Sequence, residues 1–257
     1  MAATDEIEDL EDSDVESPPP KPFRFFDLPS EIRLRVYELL LHVPGTVDLD
    51  PINFRRIKPR FNVFLVSRRM HEEAYRVFYG HNTFRLFPIH GRFFHTKKPL
   101  LMRLAPHHRA AITNLELRLG PGWTGLPTCW AISDKLGIED MTHWRVFKIF
   151  VECDPASDNI FKGFRKSENW FTHYCTRIVH QIWSRAPSIQ EVQFDAFPAV
   201  PKDSPLMLEL LRESREHHKK ITWGPERGWK DDPIMDLVIG LQHVKLDSIA
   251  IDCESRG

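Results

Sequence analysis

The stretch Phe26-Asp27-Leu28-Pro29-Ser30-Glu31-Ile32-Arg33-Leu34-Arg35-Val36-Tyr37-Glu38-Leu39-Leu40-Leu41 carries more apolar surface than a short helix needs. On a wheel of 3.6 residues per turn, Ile32, Val36, Leu39 and Leu40 form one side. Leu34, Tyr37 and Leu41 extend the apolar arc around the other. Glu31, Arg35 and Glu38 make a polar stripe, with Glu31 and Arg35 spaced to pair at i,i+4. Arg33 sits alone within the apolar arc. A surface helix needs an apolar stripe of roughly 100°, and this one covers about twice that. The helix is therefore either buried in its own domain or shared between that domain and a partner. Pro29 suits its first turn, and Pro44-Gly45 ends it.

After this helix, Thr46 to Asp50 and Asn53-Phe54 read as short extended pieces in an insertion. A basic loop, Arg55 to Arg60, continues it. The spacing predicts a second helix from about Val63 to Tyr79. Val63, Val66, Met70, Ala74 and Val77 share one face, and Arg68, Glu72 and Arg76 lie opposite them. Gly80 stands past its end, and Thr83 to Phe87 reads as a strand.

From about residue 100 the pattern changes. Ile112 to Leu117, Ile189 to Phe194 and Leu241 to Leu246 each read apolar-x-x-apolar-x-apolar. Their last apolar positions alternate as strand residues do. Phe147 to Cys153 is a further strand without the first anchor, and Ile221-Thr222-Trp223 is a weaker one. Helices are expected between them, over Asn169 to Trp183, over Pro205 to about Glu216, and again after Asp232-Pro233. Alternating strand and helix favours parallel strands with helices packed outside. The expectation is an α+β chain with a curved, mostly parallel sheet. A final strand, Val244 to Ile251, is expected as an edge or as a partner-covered strand.

Residues 1–20 hold eight of the 36 acidic residues and no Lys or Arg. The remaining 28 acids face 35 Lys and Arg, so the body has a balance of about +7. This acidic segment, followed by Ser17-Pro18-Pro19-Pro20, reads as a disordered tail. It has neither the basic nor the apolar region of a secretory signal, and no apolar run approaches the ~20 residues of a membrane span. Cys129, Cys153, Cys175 and Cys253 are far apart and form no Cys-x-x-Cys. Thiols in a reducing compartment, cytoplasm or nucleus, follow.

Leu28-Pro29-Ser30-Glu31-Ile32-Arg33 with Val36-Tyr37 resembles the opening of the F-box. Val66-Ser67-Arg68-Arg69-Met70 is similar to its later Val-Ser-Arg-x-Trp element, with Met70 where Trp is usual. Glu73-Ala74, Phe78-Tyr79 and Asn82-Thr83-Phe84 continue a pattern found in F-box-like domains of uncharacterised fungal proteins. The anchored strands look like degenerate leucine-rich repeats. The resemblance divides the chain into an acidic tail (1–21), an F-box-like module (22–95) and an irregular repeat-like α/β domain (100–257). It implies a Skp-type adaptor as partner, with Leu28, Pro29, Ile32, Val36, Leu39 and Leu40 facing it and Val66 and Met70 in or beside the interface. The rest of the chain would hold a protein substrate for a cullin-type ubiquitin ligase.

Other chemistries find less support. His173 and Cys175 point about 200° apart on a helix and cannot form an activated pair. Cys153-Asp154 is the remaining thiol candidate. The chain has no G-x-S-x-G, P-loop or H-E-x-x-H, and Gly120 to Gly125 reads as a turn. Basic groups at Arg55–Arg60, Lys97-Lys98, Arg103–Arg109 and Arg215–Lys220 come without a zinc-finger, homeodomain or RNP motif, so they read as a solvated surface. The pairs His107-His108 and His217-His218 are adjacent residues, expected to diverge, and offer no third ligand. The expected function is non-catalytic protein recognition without cofactor, metal, membrane or nucleic acid. The alternatives are a self-contained protein-binding domain without adaptor binding and a weak nucleic-acid binder.

Overall fold

Strand residues that alternate apolar and polar build one sheet that is dry on one side. The structure is a computed structural model that describes residues 22–48, 51–89, 98–125, 127, 129–157, 161–163, 167 and 169–230. Its six strands are β1 (Thr46–Val47), β2 (Thr83–Arg85), β3 (Asn114–Leu119), β4 (Val146–Val151), β5 (Glu191–Ala196) and β6 (Lys220–Trp223). They lie side by side in the order 1-2-3-4-5-6, and every pair is parallel. The expected mixture of helix and parallel strand is the observed fold. The acidic tail, Leu241 to Leu246, the start at Asp232-Pro233 and the final strand Val244 to Ile251 lie outside the described residues.

The register explains the sequence pattern. Val47, Phe84, Leu115, Phe147, Val192 and Ile221 form one row across the sheet, and Leu117, Ile149, Phe194 and Trp223 form another. Both rows face the hydrophobic core, and most of their members are fully buried. The alternate row, Arg85, Glu116, Lys148, Gln193 and Thr222, faces the other way. Ile112 and Ile189, two residues before their strands, are buried and close the core beneath them. β4 has the same anchor after all: Trp144 is fully buried, packs edge-on against Phe147 at 5.2 Å, and donates through Nε1 to Val146 O. Trp144-x-x-Phe147-x-Ile149 is therefore a third copy of the pattern within the described residues. The six positions of the first core row stand 37, 31, 32, 45 and 29 residues apart. These steps are longer and more uneven than the roughly 20–29 residues of a regular leucine-rich repeat.

Each crossover advances by one strand in the same direction. Right-handed crossovers then place the connecting helices on one side of the sheet. The helices are α1 (Ser30–Leu41), α2 (Pro51–Ile57), α3 (Arg68–His81), α4 (Pro106–Ala110), α5 (Trp170–Arg185) and α6 (Pro205–Glu216). α5 buries Phe171, Tyr174, Cys175, Ile178 and Ile182, and α6 buries Leu206, Met207, Leu210 and Leu211. The α6 start needs its Pro205 and a distant cap. Asp154, itself buried after β4, accepts from the Leu206 N–H at 2.8 Å through Oδ2.

Three local expectations change. Gly80 lies inside the second long helix, which runs on to His81, instead of past its end. Asn53-Phe54 belongs to α2, not to an extended piece, and the segment from Lys58 to Leu65 is a 3-10 helix begun by Pro59. The second long helix starts at Arg68, because Ser67 is its N-cap: its Oγ accepts from Met70 N at 3.1 Å while its backbone is extended. A Ser at N-cap satisfies a terminal N–H that the helix cannot. Val63 and Val66 therefore stand outside the helix face assigned to them. The division expected between residues 95 and 100 does not interrupt the sheet. β1 and β2 come from the first part and pair with each other, β2 pairs directly with β3, and one hydrophobic cluster runs from Tyr37 to Leu211.

Asn82 fixes that continuity. Its Oδ1 accepts from Val43 N at 2.8 Å, and its Nδ2 donates to Leu41 O at 3.0 Å and Phe78 O at 2.8 Å. One buried amide thus ties the C-terminal ends of α1 and α3 immediately before β2. Asn82→Ala is expected to lower stability by about 3 kcal/mol, because it strands buried polar groups. Urea unfolding should show this as a lower midpoint with unchanged slope.

Candidate protein-docking surface

α1 has an inner and an outer side. Arg33, Tyr37 and Leu41, spaced i,i+4,i+8, are its buried residues. Arg33 is thus not stranded in an apolar arc but marks the inner face. Its Nε and Nη2 donate to the two oxygens of Glu73 on α3, both at 2.9 Å, and its Nη1 donates to Leu28 O. Tyr37 OH donates to Glu73 Oε2 at 3.2 Å, and Arg69 Nε donates to Glu73 Oε1 at 3.2 Å. Ala74, beside Glu73, is fully buried and leaves room for the helices to approach. Phe25 packs on Tyr37 at 5.5 Å, and the Arg69 guanidinium lies over Phe26 at 4.6 Å.

This arrangement tunes its own members. The hydrogen bond from Arg33 holds the Glu73 carboxyl below its usual range, with Arg69 and Tyr37 adding to it against the opposing effect of burial. Burial, then the Glu73 charge, pushes the Tyr37 phenol up to about 12. On the polar stripe Arg35 pairs with Glu38 at 2.7 Å, one turn on, rather than with Glu31.

The outer side of α1 is uncovered. Ile32 is 51% exposed, Leu39 69% and Leu40 49%, with Val36 half-buried between them. Pro29 is exposed, and Leu28 is half-buried at the helix start. Val66 is 65% exposed beyond the 3-10 segment, next to Leu65 at 83%. Met70 is buried on α3 and braces the helix pair from inside, so it adds nothing to an outer face. Leu65 is the apolar residue that sequence reasoning did not single out. The Ser67 cap was its signal, since residues before an N-cap leave the helical surface. An open groove of about 520 Å³ runs beside Leu39 and Leu40, walled by Arg56, Pro59, Arg60 and Val63.

The basic segment supports this surface. Arg60 Nη1 donates to Leu40 O at 2.7 Å and His42 O at 2.9 Å, and Arg56 Nη2 donates to Pro44 O at 2.8 Å. Arg60 thus satisfies carbonyls at the α1 C-terminus that the helix itself leaves open, and Arg56 satisfies one in the turn beyond it. Arg109 is likewise engaged, by Asp140 and by Leu101 O and Leu104 O. Lys219 donates to Ile189 O at 2.7 Å, and burial lowers its pKa. These guanidinium and ammonium groups therefore have internal work.

The thiol candidates lie apart from this face. Burial, then the charges of Glu152 and Asp154, pushes the Cys153 thiol up to about 11. Cys175 is fully buried on α5, which pushes its thiol well up, while His173 is exposed. Asp154 is occupied as the cap of α6. Gly120, with φ of +134°, makes the turn after β3, and a Cβ there would meet Glu152 Cβ at 2.6 Å. That loop is a turn set by close backbone approach.

Among the described residues no helix is long and apolar enough to cross a membrane. No family model matches the chain, and neither a curated protein nor a solved structure matches it.

Tyr37 has a testable signature. Its phenol prefers the neutral form when folded, so the folded chain holds a proton there that the unfolded chain loses. The associated stability is complete below pH 10 and is lost as pH rises to about 12. Absorbance titration of Tyr37→Phe should lose one late-ionising phenol relative to wild type. An unchanged late phase would place Tyr37 in contact with solvent.

Proposed function

We propose that the chain is a non-catalytic protein-interaction receptor of the F-box-like kind, acting in the cytoplasm or nucleus. The outer side of α1 docks a Skp-type adaptor of a cullin-type ubiquitin ligase, and the sheet-based remainder holds a protein substrate. The observation that carries this reading is the solvent exposure of Ile32, Leu39 and Leu40 on a helix whose Arg33, Tyr37 and Leu41 are buried against its own domain. A self-contained domain would cover that arc. The adjoining groove extends the apolar area beside Leu39 and Leu40.

The size of the effect is consistent with docking. Burying a large apolar side chain is worth roughly 1.5–3 kcal/mol, and a few central anchors carry most of an interface. The second reading, a protein-binding domain with no adaptor, draws on a different observation. Arg33, Tyr37, Glu73, Ala74 and Asn82, which carry much of the family resemblance, are occupied inside the helix pair. The motif therefore speaks for the fold of the pair, and the outer residues decide docking.

Titration calorimetry of the purified chain with a Skp-type adaptor tests the proposal. Ile32→Asp and Leu39→Asp should each weaken binding about tenfold or more. Leu34→Asp, about 200° round the helix from Ile32, should change it little. Circular dichroism should show all three folded. No binding by the wild-type chain, or equal loss in all three variants, would overturn adaptor docking.

A further inference from the structure

His180, Glu213 and His217 converge between α5 and α6, away from the α1 surface. Their ligand atoms all lie within 4.8 Å of one another. His180 Nδ1 is 2.7 Å from Glu213 Oε1, and His217 Nε2 is 3.1 Å from the same oxygen. The two rings are 5.4 Å apart between centroids. Glu213 is buried, His217 is partly exposed, and His180 is open to solvent with its side chain 58% exposed.

We propose that these three side chains form a binding site for a divalent transition-metal ion of the zinc class. Two imidazoles and one carboxylate are ligands suited to Zn²⁺, and three protein ligands leave a fourth position for water. Zinc–ligand bonds of about 2.0–2.1 Å at tetrahedral angles separate the ligand atoms by about 3.3–3.4 Å. The observed separations, 2.7 Å, 3.1 Å and at most 4.8 Å, bracket that spacing. In the unliganded site His180 Nδ1 and His217 Nε2 both face Glu213 Oε1. Metal binding requires those two nitrogens to be free of protons, with the ring protons on His180 Nε2 and His217 Nδ1. Glu213 then offsets one of the two positive charges, and its burial favours a close cation.

The second histidine pair shows why this cluster is selected. His107 and His108 do not diverge: their ring centroids are 4.1 Å apart, with His71 6.1 Å from His108. Aromatic neighbours Tyr75 and Tyr79 surround them. Burial lowers the His108 pKa there, and no carboxylate converges with them among the described residues. At the other pair, His218 takes a left-handed backbone (φ 54°) that turns the chain away, while His217 faces Glu213 one helical turn back.

Chelator-treated full-length chain, titrated with Co²⁺ and then Zn²⁺, tests the site. One equivalent of Co²⁺ should give the intense visible band of four-coordinate cobalt, and Zn²⁺ should abolish it. Co²⁺ should also quench part of the tryptophan fluorescence, because Trp183 lies 6.4 Å from the His217 ring. His180→Ala and His217→Ala should weaken binding by about tenfold or more, and His218→Ala should not. His180→Gln, which keeps a donor toward Glu213 but offers no imidazole, should behave like His180→Ala and remain folded. No stoichiometric uptake by the wild-type chain, or equal uptake by His180→Gln, would overturn the proposal.

Discussion

The bond between Arg33 and Glu73 sets the orientation of everything around it. A guanidinium and a carboxylate that meet in parallel favour one rotation of α1 against α3. That rotation turns Tyr37 and Leu41 inward and Ile32, Leu39 and Leu40 outward. A charged residue in the middle of an apolar helix therefore specifies direction, which a wholly apolar interface specifies poorly. Glu73 is the shared point, since Arg33, Tyr37 and Arg69 all donate to it.

Asn82 extends this order to the sheet. It is reached directly from the end of α3 and stands one residue before β2. The helix pair and the strands are thus fastened by the same amide that satisfies both helix ends. For this reason the part with the F-box-like pattern and the part with anchored strands share one core. The segment read as an insertion is the source of β1, the first strand of the sheet, and of Arg60, which closes the α1 C-terminus.

Much of this was legible in the sequence. The apolar-x-x-apolar-x-apolar pattern works because two alternate positions enter one face of a sheet and the first enters the core below it. Trp144 was overlooked because an aromatic anchor does not look like the Ile of its neighbours. Pro205 marked the start of α6 correctly, since proline constrains the first turn whatever surrounds it. Asn53-Phe54 misled because two residues are too few to show a helical period, and only Pro51 at the first position signals the helix around them. The excess apolar arc of α1 was evident, but its division into sides depended on Glu73, forty residues away. The triangle of His180, Glu213 and His217 was out of reach, because it joins two helices separated by a strand. The adjacency of His217 and His218 drew attention to the wrong pair.

The order of the strands has a consequence for how the chain tolerates change. Every strand pairs through its backbone only with its immediate predecessor and successor, so cohesion passes largely from step to step along one dimension. Lengthening a crossover disturbs its own step and leaves distant ones in register. The 45 residues between the Phe147 and Val192 positions, against 29 in the next step, fit such a pattern of local growth. Architecture of this kind loses order progressively from its ends and weakest joints, so probes placed at β1 and at β5 would not be obliged to report a common unfolding event.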